Sequence, residues 1–210
     1  MSERAMDRMV IRTRRMIRDA LTGLMEEKGF EGITVSDLTA KADINRGTFY
    51  LHYRDKHDLL KQSEDEVISE IERITNIARQ SATEDVVILD YKMESPFPFV
   101  LKLLEYILEH ADFMKTMLGP KGDPLFQVKL KEVMKKSILN NLFELNDEEM
   151  MVPPEYFFAY LCSAHLGVIQ HWLENGMEKS PQEMSMILSR ITMLGPGYIS
   201  GLVKNLNSNS

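Results

Sequence analysis

The sequence predicts an all-α fold, and three observations carry that prediction. Apolar residues recur at three- and four-residue steps through several long segments, which is the spacing of one helix face. Residues that cap helices, or stop them as glycine and proline do, stand at the ends of those segments. The single β-like run, Val86-Val87-Ile88-Leu89, is too short to build a sheet. The expected architecture is a three-helix N-terminal domain with a helix-turn-helix, followed by a larger helical C-terminal domain.

The first helix is expected from about Asp7 to Lys28. Ile17, Ala20, Leu21, Leu24 and Met25 make one apolar stripe, and Arg8, Arg12, Arg14, Arg15 and Arg18 fall largely off it. Gly29 then offers a left-handed stop. A second helix starts at Thr34, whose hydroxyl can accept from a free amide, with Asp37 three residues on as the other half of a capping box. Leu38 and Ala42 face inward, Asp43 sits in the turn, and Ile44 plugs the space between two helices. Asn45 is the expected cap of a third helix over about Arg46 to Tyr53. Asp55 with Asp58 opens a long fourth helix, in which Leu59, Leu60, Val67, Ile71, Ile74 and Ala78 keep helical spacing to about Ser81.

Met93 to Pro98 reads as a loop, because two prolines bar a helix interior. A helix follows from about Phe99 to Met117, with a break near His110. Gly119 to Pro124 is a loop, Leu125 to Phe143 a helix, and Val152-Pro153-Pro154 a second break. Tyr156 to Glu174 is an apolar helix stopped by Asn175-Gly176. Ser180 and Pro181 start a last helix that runs to about Leu194 and ends at Gly195-Pro196-Gly197. The tail, residues 205–210, is expected to be disordered.

Composition narrows the class. The 210 residues are 44% hydrophobic and 27% charged, as in ordinary soluble globular proteins. One cysteine, Cys162, excludes an intramolecular disulfide framework and suits a reducing cytoplasm. No secretory signal is expected, because Arg and Asp are spread through the N-terminus. Tyr156 to Leu173 is the most apolar segment, but it contains Ser163, His165, Gln170 and His171, so no membrane span is expected. The net charge of −7 is unevenly placed. Residues 1–62 hold 12 Lys+Arg against 10 Asp+Glu, and residues 63–210 hold 13 against 22. Such asymmetry is compatible with nucleic-acid contact by the N-terminal domain only.

Residues 34–60 carry the chemistry. A helix entering the major groove needs small or polar residues at its N-terminal end, where the axis meets the bases. Asn45, Arg46, Gly47 and Thr48 supply them: Arg bonds guanine edges, Asn bonds adenine, and the Thr methyl meets thymine. Phe49 and Tyr53 face the core, which leaves Tyr50 and His52 to reach phosphates. Lys56 and Thr34 stand at helix starts, where free amides also favour a phosphate. The structural alternative is a plain three-helix bundle with an aromatic core.

Thr34 to Leu60 resembles the N-terminal domain of the TetR family of bacterial transcriptional regulators. The shared elements are Thr34, Ala42, Ile44-Asn45-Arg46-Gly47-Thr48-Phe49-Tyr50, His52-Tyr53, Lys56 and Leu59-Leu60. The resemblance covers about residues 8–62. It implies an all-helical homodimer with a DNA-binding domain over 1–62 and a regulatory and dimerisation domain over 63–204. The expected DNA is a double-stranded, pseudo-palindromic operator, its half-sites about one helical turn apart. One departure is Asp43, where the family usually has Gly; Asp tolerates a left-handed φ better than most residues.

The C-terminal half is less specific. Phe97 to Asp123, and His171 to Gly176 followed by Ser180-Pro181, resemble the C-terminal domain of some Firmicute-type members. The apolar Tyr156–Leu173 segment must be covered on more than one side, and a second copy would cover it. Tyr156, Tyr160, Val168, His171, Trp172, Met184, Ile187 and Ile191 are the expected dimer contacts. The resemblance also implies a pocket for a small apolar effector. Leu103, Tyr106, Phe113, Met117, Phe126 and Met134 are candidates to line it, with Phe158, Cys162 and His165. The 15 methionines suit an adaptable apolar site. Plain core packing is the competing account of each.

No enzyme is expected. His165 and His171 stand about 240° apart round a helix and share no face. No Cys–His–carboxylate set has metal spacing, so no metal or cofactor is expected. Cys162 and His165 could make a thiol–imidazole contact. Two readings remain: a ligand-responsive repressor, or a regulator whose C-terminal domain meets a protein partner, in which Lys129, Lys131, Lys135 and Lys136 would be exposed.

Overall fold

The computed structural model describes residues 3–81, 98–141 and 150–200. Among them are α1 (Glu3–Lys28), α2 (Val35–Lys41), α3 (Arg46–Tyr50), α4 (Lys56–Ser81), α5 (Pro98–Glu109), α6 (Ala111–Leu118), α7 (Pro124–Asn141), α8 (Pro154–Glu174) and α9 (Pro181–Ile199), with no strand. Val86–Leu89, most of the 93–98 loop, the end of the helix at Phe143, the inward face of Ala78 and the 205–210 tail lie outside the described residues.

The chain forms two compact units. Unit 1 contains residues 1–70 and 111–130, and unit 2 contains 71–110 and 131–210. The division in chain order at residue 62 did not anticipate that α6 and the start of α7 join the N-terminal helices.

In unit 1 the α1 stripe is buried as expected: Ile17, Leu21 and Met25 are closed off completely or nearly so. α6 covers part of that face. Its Phe113, Met114 and Met117 are buried, the Arg18 guanidinium lies 5.8 Å from the Phe113 ring centre, and the Thr116 hydroxyl donates to Glu26 Oε1 at 3.1 Å. Lys121 Nζ donates to the Glu26 carbonyl in the loop that follows α6. On α7, Lys129 meets the buried carboxylate of Glu64 at 3.0 Å.

Helix ends follow the sequence signals. Thr34 and Asp37 form a full capping box, with the Thr34 amide donating to Asp37 Oδ2 at 2.8 Å and the Asp37 amide to Thr34 Oγ1 at 3.2 Å. Lys28, 2.8 Å away, and these bonds from Thr34 hold the Asp37 carboxyl well below the usual carboxylate range. Asp43 adopts φ +52°, and the Ile44 amide reaches back to the Thr39 carbonyl at 3.0 Å, so α2 ends in a Schellman-type stop with Asp in the glycine place. α3 is shorter than expected, ending at Tyr50, with single turns carrying the chain on to Tyr53. The expected break at His110 separates α5 from α6.

Unit 2 packs α5 and α8 on α9. Ser180 and Glu183 form the second capping box. Trp172 Nε1 donates to the Lys179 carbonyl at 2.9 Å and so ties α8 to the loop leading into α9. Gly195, at φ +69°, interrupts α9 where the sequence places its end, and one further turn follows.

Gly122 is the tightest glycine. A Cβ there would stand 2.0 Å from the Met117 carbonyl oxygen, which is backbone and cannot turn aside. Gly122→Ala is expected to destabilise the protein by about 1–3 kcal/mol, the usual range for overpacking, measured by urea unfolding.

Candidate DNA interface and ligand cavity

α3 turns three of its five residues outward. Arg46, Gly47 and Tyr50 are exposed, and Arg46 Nη2 reaches the Tyr50 hydroxyl at 3.5 Å. Phe49 and Tyr53 point the other way and are buried, as their spacing predicts. The helix is therefore fixed from behind by aromatics, and its front presents a guanidinium, a phenol and a stretch of bare backbone.

Three of the expected contact residues have structural duties. Asn45 Oδ1 accepts from the Thr48 amide at 2.7 Å and from the Thr48 hydroxyl at 3.1 Å. A bidentate bond to adenine needs that same oxygen, so Asn45 caps the helix that Arg46 leads. Thr34 is the cap of α2, its hydroxyl donating to Asp37 Oδ2 at 2.7 Å. The Lys56 ammonium donates to the carbonyls of Phe30 and Glu31 at 3.1 and 3.0 Å and lies 4.8 Å from the Phe30 ring centre. It braces the α1–α2 loop instead of projecting to a phosphate. Thr48 and His52 are half-buried. Burial, and secondarily the Arg14 charge, push the His52 imidazole below its ordinary value, so near neutral pH it offers an N–H and not a cation.

Sequence reasoning missed Leu51, which is 82% exposed beside Tyr50. An apolar residue between core-facing Phe49 and Tyr53 gave no sign that it would face solvent. It also missed how the arginines are held. Arg14 donates to Gln62 at 3.0 Å and to Glu66, with its guanidinium 5.3 Å from the Tyr53 ring centre, and Arg18 lies 3.7 Å from Glu66.

Unit 2 contains a cavity of about 50 Å³. Ile71 and Thr75 of α4, Phe99, Val100 and Leu103 of α5, and Met134, Ser137 and Ile138 of α7 line it. α8 adds His165 and Ile169, and α9 adds Leu188, Ser189 and Thr192. Of the expected pocket residues, Leu103, Met134 and His165 are on this wall. Tyr106, Phe158 and Cys162 lie elsewhere in unit 2. Phe113, Met117 and Phe126 are core of unit 1, where Phe113 and Phe126 meet edge to face at 6.4 Å. Phe113 and Met117 of α6, and Phe126 at the start of α7, fall in the 111–130 stretch that chain order alone counts with the C-terminal domain. The Cys162–His165 contact does not form; His165 Nδ1 instead meets the Leu161 carbonyl at 2.7 Å, and burial pushes the Cys162 thiol up.

The expected dimer residues divide similarly. Trp172 and Met184 are 4% exposed within one copy, so neither offers surface to another. Tyr156, Tyr160 and His171 stand on the open face of α8, with Val168, Ile187 and Ile191 half-buried. Three of the four α7 lysines are engaged, Lys129 with Glu64, Lys131 with the Ser163 hydroxyl at 3.3 Å, and Lys135 over the Phe158 ring at 5.7 Å, while Lys136 is exposed as expected. Among the described residues no helix is long and apolar enough to cross a membrane.

Comparison with known proteins follows the two regions. Residues 17–62 match the family model for bacterial regulatory proteins of the tetR family, and residues 94–194 match a model for a transcriptional regulator C-terminal region. An uncharacterised HTH-type transcriptional regulator of Bacillus subtilis (strain 168), YxbF, is 45% identical over 60 residues. That match takes in 28% of this chain and spans only 16% of the relative's length. Among solved structures, a TetR transcriptional regulator from Streptococcus agalactiae 2603V aligns over 91% of this chain and 99% of its own, with TM-score 0.53 and 20% identity. The fatty acid degradation regulator FadR from Bacillus halodurans aligns over 88% and 96%, with TM-score 0.58 and 17% identity. At these identities the two structures establish the shared fold.

Two outcomes separate side chains that face outward from those that brace. Arg46→Ala is expected to leave the melting temperature unchanged and to reduce discrimination between DNA sequences by about 1–3 kcal/mol. Lys56→Ala is expected to lower the melting temperature as well, because two carbonyls lose their donor. Fluorescence anisotropy on DNA alongside thermal melts reads both.

A pH dependence follows from His165, whose imidazole burial holds below its ordinary value of 6.5. Above that value the ring is neutral both folded and unfolded. As pH falls through it, the unfolded chain takes up the proton first, so folding stability is lost toward acid. Between pH 7.5 and 5.5 the wild-type melting temperature is expected to fall further than that of His165→Gln.

Proposed function

The chain belongs to the TetR family of bacterial transcriptional regulators, and from that premise we propose a homodimeric repressor that releases its operator when a small apolar molecule occupies the unit 2 cavity. The observation that carries the DNA-binding part is the outward set of Arg46, Gly47 and Tyr50 on a helix pinned by Asn45 in front and Phe49 behind. A recognition helix of five residues makes few contacts, so affinity depends on two copies binding together across a pseudo-palindrome.

The open face of α8, with Tyr156, Tyr160 and His171, supports α8 as the centre of the dimer contact. The apolar cavity supports a small effector over a protein partner, since three of the four α7 lysines that would meet an acidic partner, Lys129, Lys131 and Lys135, are engaged within the chain. An effector can shift DNA affinity only by its differential affinity for two states of the protein. α4 and α7 each contribute residues to both units, so a displacement along either helix is the route by which such a difference would travel.

Selection of DNA fragments from the source genome by the purified protein is expected to return an interrupted inverted repeat, with half-sites about one helical turn apart; a single asymmetric site would refute the dimer reading. Sedimentation is expected to give twice the 24.2 kDa chain mass. Tyr160→Glu, which sets a charge in the apolar part of the α8 face, is expected to return the monomer and abolish operator binding with the melting profile of each unit retained.

A further inference from the structure

No Asp, Glu, Lys or Arg is among the described residues lining the unit 2 cavity. An ion entering it would lose its hydration with no opposite charge to replace it. The polar lining side chains are Thr75, Ser137, Ser189, His165 and Thr192. The Thr75 hydroxyl donates to the Glu72 carbonyl at 3.0 Å, and His165 and Thr192 face each other. His165 Nδ1 lies 2.7 Å from the Leu161 carbonyl, which can only accept, so Nδ1 bears the hydrogen and Nε2 of the neutral ring is an acceptor. Thr192 Oγ1 lies 2.9 Å from that Nε2 and 2.8 Å from the Leu188 carbonyl. One hydroxyl hydrogen therefore faces two acceptors, and the pair is short of one donor. A ligand hydroxyl or N–H could bond Nε2 while Thr192 turns its hydrogen to Leu188, a net gain of one hydrogen bond. A ligand with only acceptors finds no spare hydrogen on this pair.

Resting on the effector reading above, we propose that this cavity selects a neutral, largely apolar molecule bearing one hydrogen-bond donor, and that His165 Nε2 receives the donor. The small volume, about 50 Å³, sets a compact ligand, and Met134, unbranched and adaptable, can move aside for it.

Four ligands of similar shape test this on the full-length protein: para-cresol (neutral donor), toluene (neutral, no donor), para-toluate (anion) and 4-methylbenzylammonium (cation). Calorimetric titration at pH 7.5 is expected to show para-cresol binding about 10-fold more tightly than toluene, the scale of one hydrogen bond, and neither ion binding. In His165→Phe the two neutral compounds are expected to bind equally. In ¹⁵N-labelled protein the His165 Nε2 resonance is expected to move with para-cresol and stay with toluene. Binding of either ion as tightly as para-cresol, or a para-cresol preference that survives His165→Phe, would overturn the assignment of ligand class while leaving an effector site in place. No binding by any of the four would overturn both.

Discussion

The structure depends on how two very short helices are held. α2 has seven residues and α3 has five, lengths at which an isolated helix does not persist in water. Their geometry comes from their ends. Thr34 and Asp37 fix the start of α2, Asp43 turns the chain through a left-handed backbone, and Asn45 restarts it. Phe49 and Leu38 are both fully buried, and α2 packs on α1 and on α3. Remove the caps and the outward set of Arg46, Gly47 and Tyr50 loses its direction before it loses any contact of its own. The residues that face DNA in this reading are positioned by residues that do not.

That arrangement explains which parts were legible in the sequence. Caps and stripes are local: their partners lie three or four residues away, so Thr34–Asp37, Asp55–Asp58 and the cap at Ser180 could be read directly. The left-handed turn at Asp43 was legible for the same reason. The duty of Lys56 was not, because its partners Phe30 and Glu31 stand about 25 residues earlier. Asn45 shows a second limit, since one side-chain oxygen can serve a helix or a base and residue type alone does not choose. The largest misreading was of α6 and the start of α7. Phe113 and Met117 on one helix, and Phe126 on the next, have the spacing of any apolar helix face, and periodicity says that such a face is covered without saying by what.

The cavity shows a related division. Its aliphatic lining could be guessed from composition, and His165, Leu103 and Met134 were among the residues expected there. Its character comes from two hydrogen bonds across 27 and four residues, which no pattern of hydrophobicity reports. The neutral state of the imidazole, the absence of charged lining among the described residues and the shared hydrogen of Thr192 make one chemical preference. The open face of α8 bears exposed tyrosines, while its buried face, with Trp172 and Leu173, is used within the chain. One helix thus divides its surface between the protomer's own packing and the proposed contact between copies.

The recruitment of residues 111–130 into the first unit bears on synthesis. A ribosome that has released only the first 62 residues has delivered the helix-turn-helix without Phe113, Met114 and Met117, which are buried with it in the finished protein. Glu64 would likewise await Lys129, 65 positions downstream. The nascent chain therefore cannot close its first structural unit until about two-thirds of the polypeptide has emerged, and during that interval an apolar helix face stays open to chaperones or to neighbouring chains.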